Sequence, residues 1–404
     1  MVAVNHLFDN KNSRRTFLRY LAASPLASIS PGFSHDVNEE GEVILNAEDA
    51  LDVFDFKATA KKILPPAHYG YLSTGTFDDK TLHKNREAFD HYYLRSRRLV
   101  NISNVDTSVE ILGKKWNSPI ILAPCGSQRA YHPDGELAVA SAANRMNHLQ
   151  ILSTVSSTSV EDVSNARRAP VWYQLYTSGG WEGVKSMLRR AENSGSPALV
   201  LTVDLPAGGI MRNTLERYKR LDKRNCDVCH ANSGIAAGPK PMLQQIPSNF
   251  IDEGRMPLDW KFVDRLRKET TMKILIKGIV TAEDAELCVS EGLDGIIVSN
   301  HGGRADNSGR GAIDSLAEVA SVVKGKTLLL MDSGIRRGMD IFKALALGAD
   351  AVCIGRPYLW GLGAFGQSGV EKVLELLQNE LEATMQFSGV NSAQEITHKT
   401  IGKI

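Results

Sequence analysis

Little in this 404-residue chain leans to one side. Lys and Arg number 47 against 46 Asp and Glu, a net charge of +1, so no basic surplus points to nucleic acid. No stretch approaches the run of about 18 apolar residues that a membrane-crossing helix needs. Cysteines are few: Cys125, Cys226, Cys229, Cys288 and Cys353. One close pair apart, they are too scattered for a disulfide scaffold. No Gly-x-Gly-x-x-Gly follows the first strand-like run, which argues against a Rossmann dinucleotide site. What is there, 43% hydrophobic and 23% charged residues, is ordinary globular composition. The length permits one large domain or two to three small ones.

The most informative stretch is Ser299-Asn300-His301-Gly302-Gly303-Arg304. It follows Asp294-Gly295-Ile296-Ile297-Val298, an apolar run suited to a buried parallel strand. The glycines permit a sharp turn and close approach to a ligand. His301 titrates near neutral pH, and Arg304 presents the fork that holds a carboxylate. A base beside an anion clamp suggests proton abstraction from a small acid. Taken alone, the hexapeptide is equally compatible with a capped strand, a structural histidine and a solvated arginine.

Residues 1–46 form a separate signal and linker segment. Ser13-Arg14-Arg15-Thr16-Phe17-Leu18-Arg19 precedes the weakly apolar Tyr20–Ala27, the pattern of a twin-arginine export signal. A periplasmic or other extracytoplasmic location follows as an expectation, since this route carries folded, often cofactor-loaded, proteins. A basic tail is the plain alternative.

Residues 47–404 are expected to be the catalytic domain. Residues 47–115 read as an N-terminal helical cap, with a helix over Ala47–Leu64 ended by Pro65-Pro66. From Pro119 the chain alternates. Strand-length apolar runs occur at Pro119–Ala123, Gln150–Val155, Val171–Leu175, Ala198–Val203, Lys273–Ile276, Gly295–Val298, Thr327–Met331 and Ala351–Ile354. Helical periodicity fills most gaps, as in Gly135–Met146, Trp181–Asn193, Ala282–Glu291, Ala312–Val323 and Arg337–Leu347. The pattern predicts an α/β fold, a (β/α)8 TIM barrel from about residue 119. A doubly wound open sheet is the runner-up.

Barrel chemistry sits at the C-terminal strand ends. Those ends carry Ala123-Pro124-Cys125-Gly126-Ser127, Ser153-Thr154, Gln174 and Tyr176, Thr202 and Asp204, Lys277-Gly278, the hexapeptide, Asp332-Ser333-Gly334-Ile335-Arg336, and Gly355-Arg356-Pro357. Such convergence of polar groups is hard to explain as packing. The last two ends, each with a glycine and an arginine, suit a phosphate. Lys277 reads either as a cation beside an electron-rich cofactor ring or as the ion-pair partner of Asp204 or Asp332.

Leu201–Asp204, Ile276–Gly278, Ser299–Arg304, Asp332–Gly338 and Lys343–Ala349 together resemble the FMN-dependent α-hydroxy-acid oxidases and dehydrogenases. That family includes glycolate oxidase, lactate oxidase, mandelate dehydrogenase and the flavocytochrome lactate dehydrogenases. The resemblance runs from about residue 47 to the C-terminus. It implies bound FMN and oxidation of a small (S)-2-hydroxy acid to the 2-oxo acid. Electrons would pass to oxygen or to a quinone or cytochrome, and a homo-oligomer, often a tetramer, is implied. His301 matches the base and Asp204 its partner. Arg304, Tyr71 and Tyr176 match substrate contacts. Lys277 matches the lysine beside the flavin pyrimidine edge. Ser153, Gln174, Thr202 and Ser299 match flavin contacts, and Ala123, Pro124 and Cys125 the backbone beside N5. Asp332 matches a ribityl contact, and Gly334, Arg336, Gly355 and Arg356 the phosphate grip. A lactate monooxygenase-like decarboxylating oxidation, a flavin-dependent isomerase and a non-catalytic sensor barrel are the alternatives.

The sequence departs from the family in four places. Gly208-Gly209-Ile210-Met211-Arg212 puts Met211 where a second substrate arginine is usual, with Arg212 one residue late. Val155 stands where glycolate oxidase has Trp, suggesting a longer or branched substrate. Gly126 stands where Ala is common. Cys226-Asp227-Val228-Cys229-His230 has the c-type haem attachment spacing, although a disulfide, a metal site or an accidental loop fits as well.

Overall fold

A computed structural model describes residues 40–205, 211–224, 240–244, 256–323 and 325–404. The Arg14-Arg15 segment, Gly208–Ile210 and the Cys226/Cys229/His230 cluster lie outside the described residues. Residues 41–404 form one unit, and the preceding segment is separate.

Eight parallel strands close into a barrel: β4 (Ile120–Leu122), β5 (Leu149–Ser153), β6 (Trp172–Leu175), β7 (Ala198–Thr202), β8 (Lys273–Ile279), β9 (Gly295–Val298), β10 (Leu328–Met331) and β11 (Ala351–Ile354). They pair in chain order, and β11 returns to β4 through Cys353 opposite Ile121. The open-sheet alternative is thereby excluded. Buried parallel strands read as continuous apolar runs because both faces are covered, yet side chains still alternate. Ile121, Val200, Ile297 and Leu330 point into the barrel, whereas Ile120, Leu199, Ile296 and Leu329 pack against the surrounding helices.

The segment before the barrel is not wholly helical. The stretch Ala47–Leu64 is a 3-10 turn at Ala47–Asp49 followed by α1 (Val53–Ile63). The break lies at Ala50, which is extended. Asp52 caps α1 by accepting from Phe54 N at 2.7 Å, and Asp55 accepts from Leu51 N at 2.8 Å. These short carboxylates satisfy the amide groups that a continuous helix would have used. Two further cap helices follow, α2 (Pro66–Ser73) and α3 (Lys80–Glu87). Strand β1 (Tyr92–Leu94) pairs with β12 (Ile401–Lys403), tying the cap to the chain's end.

A hairpin of β2 (Val109–Ile111) and β3 (Lys114–Trp116) was not foreshadowed by the helical reading. Its two-residue turn, Leu112-Gly113, has φ of 48° and 76°, the geometry that hairpin twist favours. Val109, Ile111 and Trp116 join the barrel's interior cluster. Around the barrel run α4 (Gly135–Arg145), α5 (Val160–Arg167), α6 (Gly180–Asn193), α7 (Asn213–Leu221), α8 (Trp260–Glu269), α9 (Ala282–Ser290), α10 (Ala312–Val323), α11 (Gly338–Ala346) and α12 (Arg356–Ser388). The last kinks at Phe365 and Gly366.

Candidate active site

A cavity of 640 Å³ opens at the C-terminal strand ends beneath α2 and α7. Of the sequence-predicted residues, it is lined by Tyr71, Ala123, Pro124, Cys125, Ser153, Tyr176, Arg212, Lys277, His301, Arg304, Asp332, Gly334, Arg336, Gly355 and Arg356. Asp204, Gln174, Thr202 and Ser299 stand outside this wall and act on it through hydrogen bonds or an ion pair. Gln174 Nε2 donates to Thr202 Oγ1 at 3.0 Å, and Ser153 Oγ donates to Gln174 Oε1 at 3.1 Å.

His301 owes its position to a left-handed turn. His301, Gly302 and Gly303 have φ of 58°, 67° and 77°. A histidine rarely adopts this conformation unless its surroundings impose it. Ser299 Oγ accepts from His301 N at 3.0 Å, and Asn300 Oδ1 from Gly303 N at 3.0 Å. Asn300 is itself paired amide to amide with Asn85 on α3, at 2.7 and 2.8 Å.

Behind the histidine lies Asp204, whose Oδ1 is 2.8 Å from His301 Nδ1. A carboxylate only accepts, so Nδ1 carries the proton and Nε2 keeps its lone pair. Gly278 makes this packing possible. It has φ of 114°, and a Cβ there would meet Asp204 Cβ at 2.6 Å. Burial pushes the Asp204 carboxyl up, but the charges of His301 and Lys277 more than offset it and hold it at about 2. Burial is also the main influence on His301 and keeps it below its ordinary 6.5, despite the opposing pull of Asp204. The imidazole is therefore neutral at neutral pH.

Lys277 does both things the sequence allowed. It lines the cavity, and its Nζ lies 3.2 Å from Asp332 Oδ2, 3.6 Å from Asp204 Oδ2 and 2.8 Å from Ser299 Oγ. Burial pulls its pKa down, yet Asp332 and Asp204 together raise it above the ordinary lysine value. Ser299 and Ser333 each donate to Asp332 Oδ1 at 2.6 Å.

Two guanidiniums face Tyr71. Arg304 lies 4.3 Å from its ring centroid and Arg212 5.2 Å. Arg304 Nη2 donates to the Tyr71 carbonyl at 2.5 Å, and Arg212 hydrogen-bonds the phenol. Burial raises the Tyr71 pKa, and the two positive charges more than reverse that, leaving it below the usual tyrosine value. Met211, at the expected arginine position, is 61% exposed and outside the cavity.

Arg356 also has a structural role that the sequence did not suggest. Its Nε, Nη1 and Nη2 donate to the carbonyls of Leu72, Gly302 and Thr74 at 2.9, 2.9 and 3.0 Å. Three of its five N–H groups thus fasten α2 to the His301 turn, and the side chain also lines the cavity. The start of α12 adds a second feature suited to an anion at Gly355-Arg356, since its first amides and dipole favour negative charge.

Asn85 and Tyr131 were not singled out from the sequence, while Ser333 and Cys353 were noted there without a role in the site. Tyr131 and Cys353 line the cavity. Asn85 gave no local signal, because its partner is 215 residues away.

Residues 60–403 match the family described as FMN-dependent dehydrogenase. The chain belongs to that family. It is 38% identical over 370 residues to a peroxisomal (S)-2-hydroxyacid oxidase of Arabidopsis thaliana, covering 88% of this chain and 97% of that one. It is 40% identical over 352 residues to an L-lactate oxidase of Lysinibacillus sphaericus (strain C3-41), covering 86% and 91%. The crystal structure of a mandelate oxidase superposes with a TM-score of 0.77 at 33% identity, covering 88% of this chain and 98% of that one. FMN is accordingly the cofactor, and this chain's donors fit it. The cavity wall carries the buried Lys277 cation, suited to a flavin's electron-accepting pyrimidine end. It also carries the glycine-rich turns and the α12 N-terminus, suited to a phosphate.

Proposed function

We propose that this enzyme oxidises an (S)-2-hydroxy acid to the 2-oxo acid. The observation that carries the reading is the His301–Asp204 pair in the same cavity as Arg304, Arg212 and Tyr71. In this reading the two arginines hold the substrate carboxylate, and the hydroxyls of Tyr71 and Tyr176 orient its oxygen. Neutral His301 accepts a proton at Nε2. Asp204 fixes the tautomer through Nδ1 and stabilises the imidazolium that forms. FMN, when bound, supplies the two-electron acceptor. Lys277 places a fixed positive charge where negative charge collects on reduction. Gly334, Arg336, Gly355 and Arg356 would hold the phosphate, and Ser153 and Asp332 would offer the cofactor further polar contacts.

The test is anaerobic bleaching of the bound flavin by a panel of 2-hydroxy acids, followed by reoxidation with oxygen or a quinone analogue. Bleaching by at least one (S)-2-hydroxy acid is expected. His301→Gln is expected to keep FMN and lose substrate-driven bleaching. A His301→Gln protein reduced at the normal rate would refute the base assignment. For the acceptor we favour oxygen, since the relatives named above are oxidases. Export by the twin-arginine route rests on Ser13–Ala27. It is tested by cell fractionation of an Arg14→Lys/Arg15→Lys double variant, which should remain in the cytoplasm. Assembly as a homo-oligomer rests on the resemblance alone and is tested by sizing the purified holoenzyme.

A further inference from the structure

One phenol in the cavity wall has no task in this mechanism. Tyr131 lines the cavity and is only 6% exposed. Its amide donates to the Gln128 carbonyl at 2.9 Å, but among the described residues its hydroxyl has no hydrogen-bond partner. A buried tyrosine usually finds one. Tyr358, which shares Gln128 with it, donates to the Ala123 carbonyl at 2.9 Å and accepts from Gln128 Nε2 at 3.1 Å. Phenylalanine would fill the Tyr131 position without leaving a polar group unpaired. The hydroxyl is either a cost without return or a group meant for a ligand.

The fold sets this phenol at the substrate end. Tyr131 closes the short turn Gln128–Ala130 that follows β4. The Ala130 carbonyl accepts from His68 Nδ1, on α2, at 2.6 Å. His68 and Tyr71 are three residues apart on that helix and share a face, so the turn lies against the side of α2 that carries Tyr71. The groups whose charge acts on the Tyr131 phenol are Tyr71, Arg304, Cys125 and Arg356, and all four line the cavity. Tyr71 and Arg304 act on it more than Arg356 does. Burial raises its pKa above the ordinary tyrosine value, so it stays a proton donor at neutral pH. A neutral donor beside a guanidinium is placed for an anion. A carboxylate offers about four lone-pair sites. Arg304 already spends Nη2 on the Tyr71 carbonyl, which leaves such a carboxylate room for a further donor.

Resting on the functional reading above, we infer that Tyr131 is a further substrate-contact residue, its hydroxyl donating to the carboxylate of the 2-hydroxy acid.

The test is Tyr131→Phe in the holoenzyme, reduced anaerobically by the 2-hydroxy acid that bleaches the parent flavin fastest. The acid concentration giving half the limiting rate should rise about 10- to 100-fold, as expected for a lost hydrogen bond to a charged group. The limiting rate should change less. FMN affinity, read from the flavin fluorescence released on dilution of the holoenzyme, should stay within about twofold of the parent's. The thermal midpoint with excess FMN should not fall, since the hydroxyl has no protein partner to lose. An unaltered half-saturating concentration overturns the inference. So does a weakened hold on FMN, which assigns the hydroxyl to the cofactor, or a midpoint lowered by more than about 3 °C, which assigns it to the fold. Each of these leaves the hydroxy-acid reading in place. Failure of every 2-hydroxy acid to bleach the flavin overturns that reading, and the inference with it.

Discussion

Replacing Lys277 with Met removes the one ammonium between two buried carboxylates. The side chains of Lys277 and Asp204 are 5% exposed and that of Asp332 10%, with the ammonium 3.6 and 3.2 Å from the two acids. Removing one partner of a buried ion pair costs about 3–5 kcal/mol, because the remaining charge is left desolvated. His301 still pairs with Asp204, and Ser299 and Ser333 still donate to Asp332, so the lower end of that range is expected. The pH dependence separates this cause from lost packing. Lys277 lowers the pKa of both Asp204 and His301. Without it the folded variant binds protons at higher pH than the parent, and more protons on the native state means stability that rises as pH falls. The gap between variant and parent should therefore narrow as the pH falls below the ordinary histidine value. Urea unfolding above and below that value, with excess FMN, measures it. A gap under about 1 kcal/mol, or one that widens on acidification, would refute the assigned electrostatics.

Turnover should depend on neutral His301, so kcat/KM falls as pH drops through a value under 6.5. Asp204→Asn removes the charge that raises His301, and should move that inflection further down while slowing reduction about 10²- to 10⁴-fold; an inflection moving upward would contradict the pairing. Arg212→Met should raise KM for hydroxy acids about 10- to 100-fold, whereas Met211→Ala, at an exposed position, should change it less than about twofold; equal effects would show the register to be wrong. Asn85→Ala leaves Asn300 without its amide partner and should cost about 1–3 kcal/mol, with a lowered kcat and FMN content retained; an unaltered kcat would mean the left-handed turn holds itself.

The sequence was legible where one residue's neighbours along the chain decide its fate. Buried parallel strands must be apolar on both faces, so Gly295–Val298 and Ala351–Ile354 were bounded to the residue. Strand ends must be polar where they meet a ligand, so Lys277, His301 and Asp332 were visible. The reading failed where a side chain's partner is remote. Arg356 reads as a phosphate ligand beside Gly355, and nothing local shows that carbonyls from α2, its C-cap Thr74 and the His301 turn also take three of its five N–H groups. Asn85 looks like any helix residue, yet it holds Asn300 across 215 positions. The Ala47–Leu64 helix broke because Asp52 and Asp55 offered local acceptors, a competition that periodicity does not register.

Two departures from the family prove to be one feature. Val155 in place of a large aromatic suggested extra room, and Gly126 in place of alanine looked independent of it. In the structure a Cβ on Gly126 would fall 2.5 Å from Val155 Cγ2 and 2.8 Å from the Val155 carbonyl. Val155 therefore leans on the bare backbone of Gly126, and part of the space left by the smaller side chain is closed from within the wall. Ser127 follows directly, its amide tied to the same Val155 carbonyl and its hydroxyl to Lys240.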